Sequence, residues 1–241
     1  MMFQMPKPRH GWRAFGGEVG IIVVGVLIAL GAQQLAEDWQ ARSRTRASIA
    51  AVEAELATNA GVFEERTIQQ SCEERRLAEM RALISAARTT RLLPRITGIG
   101  KSVSRPTLRA AWEEAQDSEV LDRWPRQDRI TVATLYSQQA PSDALTLRET
   151  QQWLRLESMM QMMAGPVTEG DLALLADVIA DLTFYSWNNG IDARQEVAGI
   201  SGRGIRPSYF VALDRKGSRS EIEALVAKAP ICQPLQVSGG R

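Results

Sequence analysis

The sequence predicts an all-α protein in which one N-terminal transmembrane helix continues into a long stalk helix and then a small helical bundle. Three observations favour this fold class. Residues 19–32 are all apolar or glycine, residues 37–92 contain no proline and place apolar side chains at helical spacing, and only residues 209–213 have a strand-like composition. Because one strand cannot form a sheet, we assign the chain to the helical class.

The first expected element is the transmembrane helix, placed at residues 14–36 behind a basic tail at residues 1–13. The apolar core of this helix, residues 19–32, would rise only about 21 Å, whereas residues 14–36 rise about 34 Å and span a hydrocarbon layer of roughly 30 Å. Trp12 and Trp39 bracket the segment about 40 Å apart, a separation that suits the two headgroup regions. The segment therefore has the length and the flanks of a membrane anchor.

A secretion signal is the alternative interpretation of this region. Lys7, Arg9 and Arg13 form a basic start, and Ala29-x-Gly31 has the small residues of a cleavage site. The helical pattern continues past that site without a break, which favours a retained anchor. Cleavage would instead leave a secreted soluble enzyme or binding protein.

One face of the transmembrane helix carries small residues and one acid. Glu18, Gly25, Ala29 and Ala32 share this face by their helical spacing, and Gly25-x-x-x-Ala29 lets two helix backbones approach closely. We therefore expect this face to contact a second copy of the chain or a protein partner within the bilayer. The alternative is that the small residues have no partner and that Glu18 extends to the headgroups.

Two sequence motifs resemble a family of short bacterial single-pass membrane proteins with no assigned activity. The first is Gly17-Glu18, then "GVLIAL" at residues 25–30, then Trp39 leading into a charged helix. The second is "WEEAQDSEVLDRW" at residues 112–124 followed by "LYSQQ", which is similar to the family's downstream block. This chain differs in having "QQLAEDW" where the family has Asn or Asp before the aromatic residue, and Ser118-Glu119 where it has glycine. The resemblance implies an inner-membrane protein with a helical extramembrane domain.

The remaining elements follow from helical spacing and from proline and glycine. The stalk helix is expected at residues 37–92, interrupted near Gly61, with the charged run "EERRLAE" at residues 73–79 as a solvated face. A loop is expected at residues 93–106, the helical extramembrane domain at 107–232, and a disordered tail at 233–241. Within that domain we expect five helices, near residues 108–115, 127–139, 142–163, 168–187 and 220–228. Thr168-Glu-Gly-Asp171 opens the clearest of them with a capping box.

Composition argues against several functional classes. The 29 basic and 28 acidic residues leave a net charge of +1, without the excess of a nucleic-acid binder. The one histidine, His10, precedes the apolar segment, so the domain lacks the residue that a Ser-His-Asp triad or a histidine zinc site requires. "GKS" at residues 100–102 ends like a phosphate loop, but Arg95 stands where the first glycine is needed. We predict no catalytic residue, cofactor or metal.

Topology and the two cysteines are linked. Three basic residues precede the transmembrane helix and three follow it within residues 42–46, so the charge rule gives a tie. Since long domains translocate largely regardless of charge, we expect a bacterial inner-membrane protein with a cytoplasmic N-terminus and a periplasmic domain from about residue 37. That oxidising compartment would allow Cys72 and Cys232 to pair, the alternative being two unrelated buried thiols.

The functional prediction is a single-pass, non-enzymatic interaction or structural module at the inner membrane. Its expected partners are the lipid bilayer and, through the transmembrane helix, a second copy or another protein, with no nucleic acid. A periplasmic sensor input domain is the alternative. Such a domain would need a partner to supply the output, because so few residues precede the transmembrane helix.

Overall fold

The computed structural model describes residues 12–102, 105–212 and 215–238. The basic tail expected at residues 1–13 lies outside the described residues, apart from the helical backbone of residues 12 and 13, and residues 239–241 also lie outside them. In the part that is described, 78% helix and few, short strands confirm the all-α class.

Five α-helices build the described part of the chain. They are α1 Trp12–Thr90, α2 Ala110–Gln116, α3 Arg126–Met162, α4 Glu169–Ser201 and α5 Arg219–Ala227. Two 3-10 helices, Glu119–Arg123 and Pro230–Cys232, follow α2 and α5. Side-chain contacts at successive levels show that α3 runs parallel to α1 and that α4 runs antiparallel to both.

Helix α1 has two dissimilar halves. Over residues 19–35 the large apolar side chains are exposed. An 18-residue window of this helix has a mean hydropathy of 2.2 with none of its residues buried. By length and composition this helix can cross a membrane. In its C-terminal half, Val52, Leu56 and Met80 are fully buried. The predicted continuation of the transmembrane helix into a long helix is confirmed, and most of residues 37–90 form the central helix of the domain.

The domain begins where the exposed apolar segment ends. An ion pair of 3.5 Å joins Arg123, at the end of the first 3-10 helix, to Asp38 on α1. Trp39 beside it is 71% exposed, and Thr45 is the first buried residue described along α1. The bundle thus sits directly against the end of the apolar segment.

Some elements differ from the predicted ones because of contacts that are distant in sequence. Helix α1 continues through Gly61, and α3 is one helix through Pro141 instead of two. Buried side chains on both sides of that proline keep this part of α3 within the bundle. They are Tyr136, Gln139 and Ser142. The predicted capping box is confirmed, since the Thr168 hydroxyl accepts from the Asp171 amide and the Asp171 carboxylate accepts from the Thr168 amide.

Six short strands form three two-stranded antiparallel sheets in the described residues. β1 Leu92–Leu93 pairs with β3 Gly165–Pro166, β2 Arg95–Thr97 with β6 Gln236–Ser238, and β4 Tyr209–Ala212 with β5 Arg215–Gly217. Two predictions are therefore wrong. Residues 93–106 are not all loop, and residues 236–238 of the expected disordered tail are held in a strand by hydrogen bonds to β2.

Two apolar clusters fill the bundle at different distances from the exposed apolar segment. The proximal cluster includes Val52, Leu56, Trp112, Trp124, Leu135, Tyr136 and Ile200. The distal cluster includes Leu77, Met80, Ile84, Trp153, Leu156, Met160, Leu172, Leu175, Ile179, Leu182 and Ile231. Between them, the interior is polar.

Candidate functional site

The residues predicted to pack within the membrane lie on an open face of α1. Glu18, Gly25, Ala29 and Ala32 are all exposed, and a Cβ added at Gly25 would meet no heavy atom within 4 Å. No other described element covers this face. Helix packing through it therefore stays a prediction.

The two cysteines form a disulfide between α1 and the segment that follows α5. The Cys72 and Cys232 sulfur atoms are 2.10 Å apart and the Cα atoms 4.8 Å apart. Arg76, one turn further along α1, is fully buried and directs its guanidinium at backbone carbonyls of the same segment, including that of Gln233 at 2.5 Å. A covalent bond and a buried cation thus hold the C-terminal segment to α1.

A layer of buried polar side chains separates the two apolar clusters. Its members come from α1, the loop before α2, α3 and α4, and they are Arg66, Gln69, Glu73, Ser102, Glu149, Ser186 and Asn189. We call this set the polar layer. It is the largest departure from an ordinary apolar bundle interior in the described residues.

Arg66 is the centre of the polar layer. One of its terminal nitrogens, Nη2, lies 2.9 Å from Glu73 Oε2 and 2.5 Å from Glu149 Oε2, and the other, Nη1, donates to Ser102 Oγ. Burial alone would lower the pKa of Arg66, but the two carboxylates beside it raise that pKa. Burial raises the pKa of Glu73, although Arg66 opposes that rise. The guanidinium therefore stays charged and links three elements of the bundle.

The remaining members complete the hydrogen bonding of the two carboxylates. Glu73 accepts from the hydroxyls of Ser102 and Ser186, each at 2.6 Å. Glu149 accepts from Asn189 Nδ2 at 2.5 Å and from the Trp153 indole at 3.1 Å. Since buried charges are costly unless paired and hydrogen-bonded, these contacts explain why the bundle tolerates them.

The polar layer does not present an accessible nucleophile. Ser102 is 3% exposed, and its hydroxyl donates to Glu73 while accepting from Arg66 and Gln69. Its hydrogen-bonding capacity is thus used within the layer. The arrangement fixes the relative positions of α1, α3 and α4.

A second set of buried polar groups lies closer to the exposed apolar segment. Glu55 on α1 accepts from the Ala111 amide at 2.9 Å, the Trp112 amide at 3.3 Å and the Tyr136 hydroxyl at 2.6 Å. The first two are free amides at the N-terminus of α2, which has no side-chain cap of its own. Glu55 therefore supplies from α1 the cap that the local sequence lacks.

An open groove of about 700 Å³ runs beside α1, between the segment after residue 104 and the β4–α5 region. Its walls are mainly apolar and include Val62, Pro106, Leu108, Phe210 and Ile222. Arg105 and Glu65 form an ion pair of 3.3 Å at its base, and Arg105 also donates to the Phe210 carbonyl at 2.7 Å. The volume is in the range of pockets that bind small molecules.

A small inner cavity of about 30 Å³ adjoins this groove, and both are lined by Val62, Glu65 and Arg105. The inner cavity reaches the polar layer at Arg66 and Asn189, and it is also lined by Asp192. One turn beyond Asp192 on α4, burial and the Asp192 charge raise the pKa of Glu196 to about 7. No sequence pattern predicted either cavity.

Sequence reasoning missed the polar layer because its charged residues resemble a solvated helix face. The run at residues 73–79 was expected to be solvated, yet Glu73 and Arg76 are both 0% exposed. That prediction is wrong for these two residues, which contact elements far away along the chain. One indirect signal was available. Glu73 lies one helical turn before Leu77 and Arg76 one turn before Met80, so both charged residues share the face that the apolar spacing predicts to be buried.

Comparisons with protein-family models, with curated proteins and with solved structures find no match. Among the residues that the structure describes, no group of three or more His, Cys, Asp or Glu side chains is placed to hold a metal ion. The resemblance to a family of bacterial membrane proteins stays a prediction.

Proposed function

We propose that this protein is a single-pass inner-membrane protein whose periplasmic helical domain is a non-enzymatic binding module. Residues 14–36 of α1 are the anchor, the N-terminal tail is cytoplasmic, and the groove beside α1 is the binding surface. The family resemblance of the N-terminal motif agrees with this assignment.

The continuity of α1 carries the proposal. The same helix that exposes Ile21, Leu27 and Leu35 to more than 60% of their surface becomes, without a break, the buried centre of the domain. Exposed apolar side chains in such number are stable in lipid and costly in water. A signal peptide needs no such rigid connection, since it is removed.

The disulfide supports the periplasmic side. Disulfides persist in oxidising compartments and are rare in the cytosol. Cys72 and Cys232 lie in the domain, beyond the anchor, so the domain and not the short tail is the part that belongs outside the cytoplasm.

Three measurements on the expressed full chain test the proposal. N-terminal sequencing of the protein from the membrane pellet should give the intact start, and a reporter fused after Arg241 should be active only in the periplasm. Thiol alkylation without reductant should leave both cysteines unmodified. A new start near Ala32 would contradict the anchor, and cytoplasmic reporter activity with two alkylated thiols would contradict the topology.

A sensor input domain is the second candidate, and the continuity of α1 favours it as well. A change at the groove would be transmitted along one helix into the membrane, where a partner would receive it. Crosslinking in native membranes should then capture that partner or a second copy through the face at Gly25 and Ala29. If Gly25→Leu left every such crosslink unchanged, this face would not be the contact.

A further inference from the structure

The groove and the inner cavity differ in chemistry although they adjoin. The groove is wide, apolar and open, while the inner cavity is narrow and lined mainly by polar and charged residues, of which Glu65, Arg66 and Asn189 are more than nine-tenths buried. Arg105 and Glu65 stand at their junction and neutralise each other at 3.3 Å. A molecule that occupied both would need an apolar body and a small polar head.

Two orphaned polar atoms belong to residues that line the inner cavity. Arg66 Nε is a donor and Asn189 Oδ1 is an acceptor, and neither has a hydrogen-bond partner among the described residues. Asn189 is 3% exposed, and its Nδ2 is already committed to Glu149. Buried polar groups are normally paired, so an unpaired donor and an unpaired acceptor on two residues that line the same small cavity point to a missing partner.

The size and charge of the inner cavity define that partner. A volume of about 30 Å³ holds only about two water-sized groups. A carboxylate could not donate to Asn189, and the lining carries three acids, Glu65, Asp143 and Asp192, against two arginines. An ammonium could not accept from Arg66. A hydroxyl donates and accepts at once, and it adds no charge.

We propose that the groove and the inner cavity form one binding site for an uncharged amphiphile that carries a single hydroxyl head. Its apolar body lies along Val62, Leu108 and Phe210, and its hydroxyl pairs with Arg66 Nε and Asn189 Oδ1. This deepens the proposed function by naming its ligand class, and it rests on that function only for the assignment of the groove as the binding surface.

The test uses the full chain in lipid nanodiscs and a photoreactive analogue of dodecanol with a diazirine in its alkyl chain. After irradiation, mass spectrometry should find label in peptides containing residues 58–62, 105–108 and 209–212, in addition to the transmembrane helix. Free dodecanol should suppress the groove label at concentrations roughly tenfold lower than dodecanoate or dodecylammonium, since a mismatched head leaves a buried group unpaired.

Three variants locate the ligand. Val62→Trp and Leu108→Trp each add bulk to a residue that lines the groove, and each should abolish the groove label without changing the label in the transmembrane helix. Leu147→Trp adds the same side chain at an exposed position of α3 that does not line the groove, and its labelling should equal that of the wild type. Protection of both cysteines from alkylation verifies the fold of each variant.

Two results would overturn the inference. One is groove label that is absent, or that persists in both filling variants. The other is competition in which dodecanoate or dodecylammonium equals or exceeds dodecanol. Anchoring is measured separately by N-terminal sequencing of the same sample, so an anchored chain with an unlabelled groove would contradict the ligand alone. A processed chain with a labelled groove would contradict the anchor alone.

Discussion

The distal cluster and the polar layer are built by the same three helices, yet they hold the bundle together in different ways. In the distal cluster Leu77, Leu156 and Leu172 are at most 2% exposed and pack within a cluster of apolar side chains. One level closer to the exposed apolar segment, Arg66, Glu73 and Glu149 are also buried, with Arg66 8% exposed, and they form a charged, hydrogen-bonded set.

The difference concerns what each region contributes. Apolar contacts add stability roughly in proportion to the area removed from water, and they tolerate substitution by residues of similar size. A buried charged network contributes little net stability, but losing one member leaves another charge unpaired. The distal cluster therefore supplies stability, while we expect the polar layer to fix the alignment of α1 with α3 and α4 and the shape of the inner cavity.

The largest expected effect comes from the disulfide that closes the distal cluster. The paired variant Cys72→Ser with Cys232→Ser should lose about 5 kcal/mol of unfolding free energy, because the bond closes a loop across 160 residues. Urea unfolding of the full chain in detergent micelles measures this. Hydrogen exchange should show the loss of protection in the distal cluster before the proximal one, and a uniform loss would contradict the division.

Next comes the loss of the central charge of the polar layer. Arg66→Leu should cost about 4 kcal/mol at neutral pH, because Glu73 and Glu149 are left buried together without a cation. Adding Glu73→Gln and Glu149→Gln to that variant should restore much of the stability. If the triple variant were no more stable than Arg66→Leu alone, unpaired charge would not be the cause.

A truncation in the distal cluster should cost somewhat less and should behave differently. Leu156→Ala should lose about 3 kcal/mol through lost burial and the cavity that remains. The loss should be the same at pH 5 and pH 7.5, since no titrating group is involved. Leu147→Ala, at a 60% exposed position of the same helix, is the matched control and should change the free energy of unfolding little.

The smallest expected effect is a dependence on pH near the inner cavity. Burial and Asp192 raise the pKa of Glu196 from 4.5 to about 7, so the folded state holds this proton more tightly than the unfolded chain does. Stability should therefore fall by about 2 kcal/mol as the pH rises from about 4.5 to about 7. Glu196→Gln should remove that component, whereas Glu114→Gln on the exposed face of α2 should not.

Sequence alone predicted the features that depend on local pattern. Val52, Leu56, Leu77 and Met80 recur at helical spacing, and that spacing correctly placed them on one face of a long helix. The Thr168–Asp171 capping box is also local, because all its atoms lie within one turn.

What could not be predicted depends on partners far along the chain. Arg66 and Glu73 have the spacing of an ordinary charged helix face. Only their contacts with Glu149 and Ser186, which lie far along the chain, make this a buried network. Strand β2 pairs with residues about 140 positions later, so three residues of local sequence contain no sign of it. The groove likewise forms only when β4 and the segment after residue 104 meet α1.

Because α1 is unbroken, it also sets the distance between the exposed apolar segment and the groove. Its 79 residues extend about 118 Å, and the groove at Gly61 stands roughly 38 Å beyond Ala36, the end of the proposed anchor. Under the proposed function, a ligand that left the lipid would travel that distance to reach the groove, and binding would take place away from the bilayer. Because α1 is one continuous helix, it also sets the direction that the groove faces around the helix axis. Each residue inserted between the proposed anchor and the domain would move the groove about 1.5 Å further along that axis and rotate it by about 100°.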